Sequence, residues 1–352
     1  MTCLVLCFLL NVDPEVLNVL EKHFFIESAV EIRGNEGDPL VSNYFTYDNN
    51  QILFVDQFDK AVSVYGESGR MLTRFGKQGE GPGEFLNPIM ARFDSEGRIH
   101  VLDSMRGLIQ VFEDGEYQKA ISLSRIGTPE SFFLVEKRGS VEYVVIAPFT
   151  FKGQMFTAFL LSEKGEVIQA FDRHEMVYAA YGWQGNIRGD NELLLGYTYD
   201  NSFQVFNLDG KLVKNFRIRH PKIQSIWKDV KEYSEAEIIR GRSPLSKEPY
   251  TALFEILTTD RFLVTSWTRM NSESVSHHFY AVSDHKTGEV IQDIETDLPL
   301  FGFKDHQFIF GYYHKEENEY FTIFFCTPKF GLDGGKESGR LGSNEPNRSP
   351  AK

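Results

Sequence analysis

Short apolar runs, separated by turns rich in Gly and Asp, follow one another along most of the chain. Tyr44 to Tyr47, Gln51 to Val55, Ala61 to Tyr65 and Met71 to Phe75 each have the length and β-branched or aromatic content of a strand. The next stretch repeats the plan with strands at Ile89 to Phe93, Arg98 to Leu102, Leu108 to Phe112 and Tyr117 to Leu123. The two units agree in detail. Asp56 precedes Tyr65 by nine residues, as Asp103 precedes Phe112.

A glycine turn marks the period. Gly69, Gly115, Gly165 and Gly210 sit in similar turns at intervals of 46, 50 and 45 residues, and Gly288 follows after 78. A repeat of about 45 residues with four strands is the size of one propeller blade. Looser units run from Phe132 to Phe171, Gly185 to Ile218 and Thr251 to Ile294. A sixth begins near Phe301, continues through Gln307 to Tyr313 and Tyr320 to Cys326, and lacks one strand. Ser28 to Arg33 has no other partner and supplies it. Pairing the N-terminal strand into the last blade closes the ring and removes the open edges. The fold expected is all-β: a six-bladed β-propeller of four-stranded blades over 27–330.

The long interval before Gly288 has a cause. Ile223, Ile226, Trp227, Val230, Tyr233 and Ile238 fall at mostly helical spacing, and Gly241 and Pro244 stop the pattern. This predicts a helical insertion at about 220–245, between blades 4 and 5. Residues 1–26 form an apolar segment with two readings: an incomplete signal sequence, or an amphipathic helix through Val16, Leu17 and Leu20. Its apolar run is too short to span a bilayer. Residues 331–352 are rich in Gly, Ser, Pro and charge and predict a disordered tail.

Composition narrows the partners. A net charge of −13 disfavours nucleic acid and an anionic membrane surface. Cys3, Cys7 and Cys326 have no metal-ligand spacing, and Cys326 reads as a buried thiol in a core strand. No catalytic motif is present, so the expectation leans away from an enzyme.

The run Gly76-Lys77-Gln78-Gly79-Glu80-Gly81-Pro82-Gly83-Glu84-Phe85, then Pro88, Asp94, Gly97 to Asp103 and Ile109 to Phe112, resembles the NHL repeat. The chain as a whole looks like the NHL-like six-bladed propellers of Bacteroidetes, often exported or lipoprotein-like. The resemblance implies a periplasmic, cell-envelope or extracellular location, with a cytoplasmic one left open by the incomplete signal. The glycine run itself reads as a tight inter-blade loop needing positive φ. It leads into a strand, not into the helix N-terminus of a phosphate cradle.

In a propeller the inter-blade loops and the second-to-third strand loops share one face, and loops on a rigid scaffold are where function concentrates. That face, bearing the insertion, is the expected binding surface, with Arg106, Tyr199, Trp227, Arg269 and Tyr233 as candidate contacts. Trp227 has a plainer use, packing the insertion onto the propeller. Asp56 and Asp103 likewise read as turn caps before they read as acids or ligands. The function expected is non-catalytic binding of a protein, peptide or glycan, without a cofactor. The alternative is a metal-dependent hydrolase or lyase, with Ca or Zn at the central axis, as some six-bladed propellers are.

Overall fold

The computed structural model describes residues 12–34, 44–137, 140–174, 182–189, 191–225, 250–270, 277–315 and 320–330. Among these residues one helix, α1 (Pro14–His23), precedes twenty-four strands, β1 to β24, in chain order. Blade 1 is β2 (Tyr44–Asp48), β3 (Gln51–Asp56), β4 (Ala61–Gly66) and β5 (Met71–Phe75). Blade 2 is β6 (Pro88–Phe93), β7 (Ile99–Asp103), β8 (Leu108–Glu113) and β9 (Glu116–Ser122). Blade 3 runs from β10 (Ser131–Lys137) through β11 (Ser140–Phe151) and β12 (Gln154–Leu161) to β13 (Val167–His174). Blade 4 runs from β14 (Trp183–Arg188) through β15 (Glu192–Tyr197) and β16 (Ser202–Asn207) to β17 (Leu212–Arg217). Blade 5 holds β18 (Tyr250–Thr258), β19 (Phe262–Met270), β20 (His277–Asp284) and β21 (Val290–Glu295).

Blade 6 is β22 (Leu300–Lys304), β23 (Gln307–His314), β24 (Tyr320–Pro328) and, outermost, β1 (Phe24–Arg33). The N-terminal strand therefore closes the ring as the sequence predicts. It starts at Phe24, earlier than Ser28, and its antiparallel register runs from Phe24↔Pro328 to Arg33↔Tyr320. Here α1 leads into it directly.

The core is laminar. Buried side chains form six clusters, and each lies between two successive blades, including blades 6 and 1. Such layering follows from sheets that bury both faces, each lending alternate residues to two neighbours. Asp13 caps α1 by accepting from the Glu15 N–H at 2.8 Å, and Pro14 opens its first turn. Leu17 and Leu20, fully buried, enter the layer between blades 5 and 6 with Phe24 and Phe308. Burial of this kind stabilises by roughly 1.5–3 kcal/mol per side chain, so the helix is part of the fold. Cys326 lies in the same layer as a free thiol, and burial pushes its pKa up.

The repeat glycines keep neighbouring blades close. Gly69 has φ +79°, and a Cβ placed there would stand 2.1 Å from the Glu31 carbonyl oxygen of β1. The turn of blade 1 thus abuts the outer strand of blade 6. Gly165 meets the Ser122 carbonyl oxygen of blade 2 in the same way. The predicted helical insertion lies mostly in 226–249, outside the described residues.

The glycine-rich run is an inter-blade loop between β5 and β6. The Asp103 carboxylate accepts from the Leu86 and Asn87 N–H groups at 2.8 and 3.0 Å. Asp56 accepts from the Phe58 and Asp59 N–H groups, both at 2.9 Å. Both aspartates are buried turn and loop caps, the structural use expected of them.

Candidate binding site in the axial channel

The innermost strands of all six blades, β2, β6, β10, β14, β18 and β22, surround a cavity of about 410 Å³ on the propeller axis. Its apolar wall includes Phe45, Met90, Phe133, Phe254 and Phe301. Its ionisable groups are Arg92, Glu130, Glu255, His278, Tyr44, Tyr280 and Asp297.

Backbone irregularity aims two of these side chains. The β18–β19 register jumps from Leu253↔Trp267 to Glu255↔Ser266, leaving Phe254 in a bulge. A bulge breaks the alternation of faces, so consecutive residues Phe254 and Glu255 both line the cavity. Phe254 remains 52% exposed. His278, on β20, has its Nδ1 2.6 Å from the Thr268 hydroxyl, and its ring meets Phe254 edge-on. Behind them the Tyr280 hydroxyl donates to the Leu298 carbonyl at 2.9 Å and accepts from the Leu300 N–H at 3.0 Å. Those two bonds fix the connection into blade 6 as part of the wall.

Arg92 is held from behind. Its Nε donates to the Phe132 carbonyl at 2.9 Å, and its guanidinium lies over the Phe133 ring, 4.6 Å from the centroid. Neither Nη nitrogen has a hydrogen bond or ion pair among the described residues. Blade 5 lies opposite blade 2 in a ring of six, and from there Glu255 faces the cavity. Its carboxyl also makes no hydrogen bond or ion pair among the described residues. Enclosure by protein pushes the Glu255 carboxyl up to about 7, opposed in part by the Arg92 charge. Enclosure likewise pushes Glu130 up to about 7, although its side chain is the more open to the lumen. Burial raises the Tyr44 hydroxyl, with Arg92 acting to lower it and Glu255 to raise it.

A larger groove, about 990 Å³, lies on the outer rim between blades 4 and 5, beside Phe203, Phe216, Arg217 and Glu289. It gathers outer-strand groups of only two blades. The axial cavity draws its lining from all six blades, and we take it as the candidate site.

The residues singled out in the sequence stand elsewhere. Arg106 is a clamp on the glycine-rich loop: its guanidinium donates to the carbonyls of Glu80, Gly81 and Glu84 at 2.7, 3.2 and 2.7 Å. Tyr199 packs on Tyr197, ring centroids 5.6 Å apart, and Arg269 is exposed on β19. Trp227 and Tyr233 fall outside the described residues. None of the three described residues lines the axial cavity. The axis entered the sequence reading only as the place for a metal. Among the described residues no three His, Cys, Asp or Glu side chains converge closely enough to hold a metal ion. The signal that finds Arg92 and Glu255 is a charged residue on an innermost strand of a blade.

A family model described as a 6-bladed beta-propeller, DUF5128, matches residues 41–217. The chain belongs to that family. The match bears on the propeller, and the narrower NHL label is not part of it. No curated protein matches the chain. Among solved structures, a protein described as exported from Bacteroides fragilis is similar with TM-score 0.65 at 12% identity, covering 86% of this chain and 94% of that one. A DUF4221 family member from Bacteroides vulgatus is similar with TM-score 0.61 at 10% identity, covering 87% and 98%. Both likenesses are of fold. No described helix of this propeller is long and apolar enough to cross a membrane.

Proposed function

We propose that this propeller is a binding protein that holds a small polar ligand or the end of a larger one in its axial cavity. The carrying observation is the Arg92 guanidinium, fixed by Phe132 and Phe133 with both Nη nitrogens unpaired, opposite the unpaired Glu255 carboxyl. Both groups are half-buried and lack protein partners, so a ligand bearing complementary groups can take the place of lumen water on each. Small-molecule sites occupy about 300–1,000 Å³, and this cavity falls within that span. The loop face expected from the sequence remains a second contact surface for whatever bears the ligand. An exported or envelope setting agrees with the description of the Bacteroides fragilis neighbour.

The test is a thermal-shift series with short peptides and oligosaccharides, run on the wild type and on Arg92→Met. A ligand at a hundred times its Kd stabilises by about 2.7 kcal/mol. At least one probe is expected to raise Tm in the wild type and to lose most of that effect in Arg92→Met. Shifts that survive Arg92→Met undiminished would move the site off the axis. Cell fractionation tests the setting, with recovery in the cytoplasmic fraction alone counting against export.

A further inference from the structure

We propose that the axial cavity takes a zwitterion of the amino-acid or short-peptide class, its carboxylate on Arg92 and its ammonium toward Glu255. This rests on the axial-cavity reading above and deepens it. Three observations select the class.

First, Arg92 presents an oriented fork. Nε is held by the Phe132 carbonyl and the guanidinium plane by Phe133, which leaves the two Nη nitrogens for a planar, two-oxygen acceptor. A carboxylate fits that edge with paired hydrogen bonds. Second, the wall opposite Arg92 carries a carboxyl group that the protein itself does not pair, Glu255 from blade 5, while Glu130, at the start of blade 3, adds a carboxyl beside Arg92's own blade. A simple anion would satisfy Arg92 and leave them repelling it. A simple cation would do the reverse, and a neutral sugar would leave both enclosed charges without a counterpart. Specificity arises as much from such unmet charges as from the contacts made. Third, Phe254, half exposed, and the partly buried Phe45 offer apolar surface to a side chain.

An ammonium group near Glu255 favours its ionised form. Binding is therefore expected to strengthen as pH rises from about 6 to about 7 and to weaken again above about 8, where the α-amino group of the ligand loses its proton. The other groups that face Glu255 are Arg92 on β6, Tyr44 on β2, Tyr280 on β20 and the nearby His278, Glu130 and Asp297.

The experiment is calorimetric titration of the full chain with L-alanyl-L-phenylalanine, its N-acetyl derivative, its C-terminal amide and maltotriose. The free dipeptide is expected to bind, and each blocked form to bind at least about tenfold more weakly. Arg92→Gln should erase the penalty for the amide alone, and Glu255→Gln the penalty for acetylation alone, as the two arms of a double-mutant cycle. The wild-type derivative series stands by itself if either variant folds poorly. Equal binding of all three peptides, or Arg92-dependent binding of maltotriose in their place, overturns the zwitterion and leaves the axial site standing. Absence of binding by every probe, or binding indifferent to Arg92→Gln, overturns both.

Discussion

His100 on β7 meets Tyr143 on β11 across the boundary between blades 2 and 3, imidazole Nδ1 to phenol oxygen at 3.2 Å. The other ring nitrogen, Nε2, lies 2.9 Å from the Asp94 carboxylate. His100, Tyr143 and Asp94 are all buried. The arrangement that satisfies every atom has Nε2–H donating to Asp94 and Nδ1 accepting from the tyrosine hydroxyl. Tyr143→Phe strands a buried acceptor and is expected to cost about 1–3 kcal/mol in denaturant unfolding. A change within error would show that water takes the place of the hydroxyl.

The same chain sets an acid limit. Burial acts to raise the Asp94 carboxyl, but hydrogen bonds from His100 and Arg98 outweigh it and hold the group well below the usual carboxylate range. A carboxyl depressed in the fold contributes stability that is complete above its unfolded value, about 3.9, and is lost as pH falls below it. Asp94→Asn should therefore lower Tm near neutrality and flatten the acid limb of the stability curve. An unchanged slope below about pH 4 would assign the acid sensitivity to other groups.

Glu255 has the opposite sign. A carboxyl raised to about 7 in the fold adds stability at low pH that is lost as pH climbs from about 4.3 through 7. Glu255→Gln should thus gain Tm over the wild type at about pH 8 and little at about pH 5. Calorimetric scans at the two pH values decide it, and an equal gain at both would remove enclosure of the charge as the cause.

Gly69 and Gly97 make a matched pair. Both have positive φ, +79° and +83°, but a Cβ at Gly97 meets nothing within 4 Å, whereas one at Gly69 would strike the Glu31 carbonyl oxygen. Gly97→Ala should cost about 1–2 kcal/mol, the backbone penalty alone. Gly69→Ala should cost clearly more, because β1 must retreat from blade 1. Equal costs would mean the ring closure yields easily.

Arg106→Ala removes a cation that bonds three carbonyls of the glycine-rich loop. Its loss is expected to destabilise the protein by about 2–3 kcal/mol, in the range for hydrogen bonds to charged groups. A variant of full stability with impaired ligand binding would return Arg106 to the surface role that its sequence position suggests.

The architecture could be read from the chain because its signals are local and repeated. The recurring Gly-turns, the nine-residue spacing from Asp56 to Tyr65 and from Asp103 to Phe112, and the unpaired strand before blade 1 each carry their meaning within one blade. The extent of β1 was less visible, since Phe24 to Ile26 reads as a continuation of the amphipathic helix. The axial site was not visible as a site. Arg92 sits between Ala91 and Phe93, and Glu255 between Phe254 and Ile256, each like an ordinary solvent-facing position of a strand. Only closing the ring sets those two positions opposite one another. Arg106, conspicuous in an exposed-looking loop, turns its charge inward to backbone that no periodicity locates.

The N-terminal closure also imposes a schedule on the ribosome. The most N-terminal described strand, Phe24–Arg33, finds its partner only when Tyr320–Pro328 has been made. About 300 residues separate the two, and at ~5–20 residues per second that wait lasts roughly 15–60 s. Through all of it the strand exposes an unpaired edge, and five blades can stack before the sixth is complete. Until that last strand is made, the closing edge of blade 6 has no native partner to cover it.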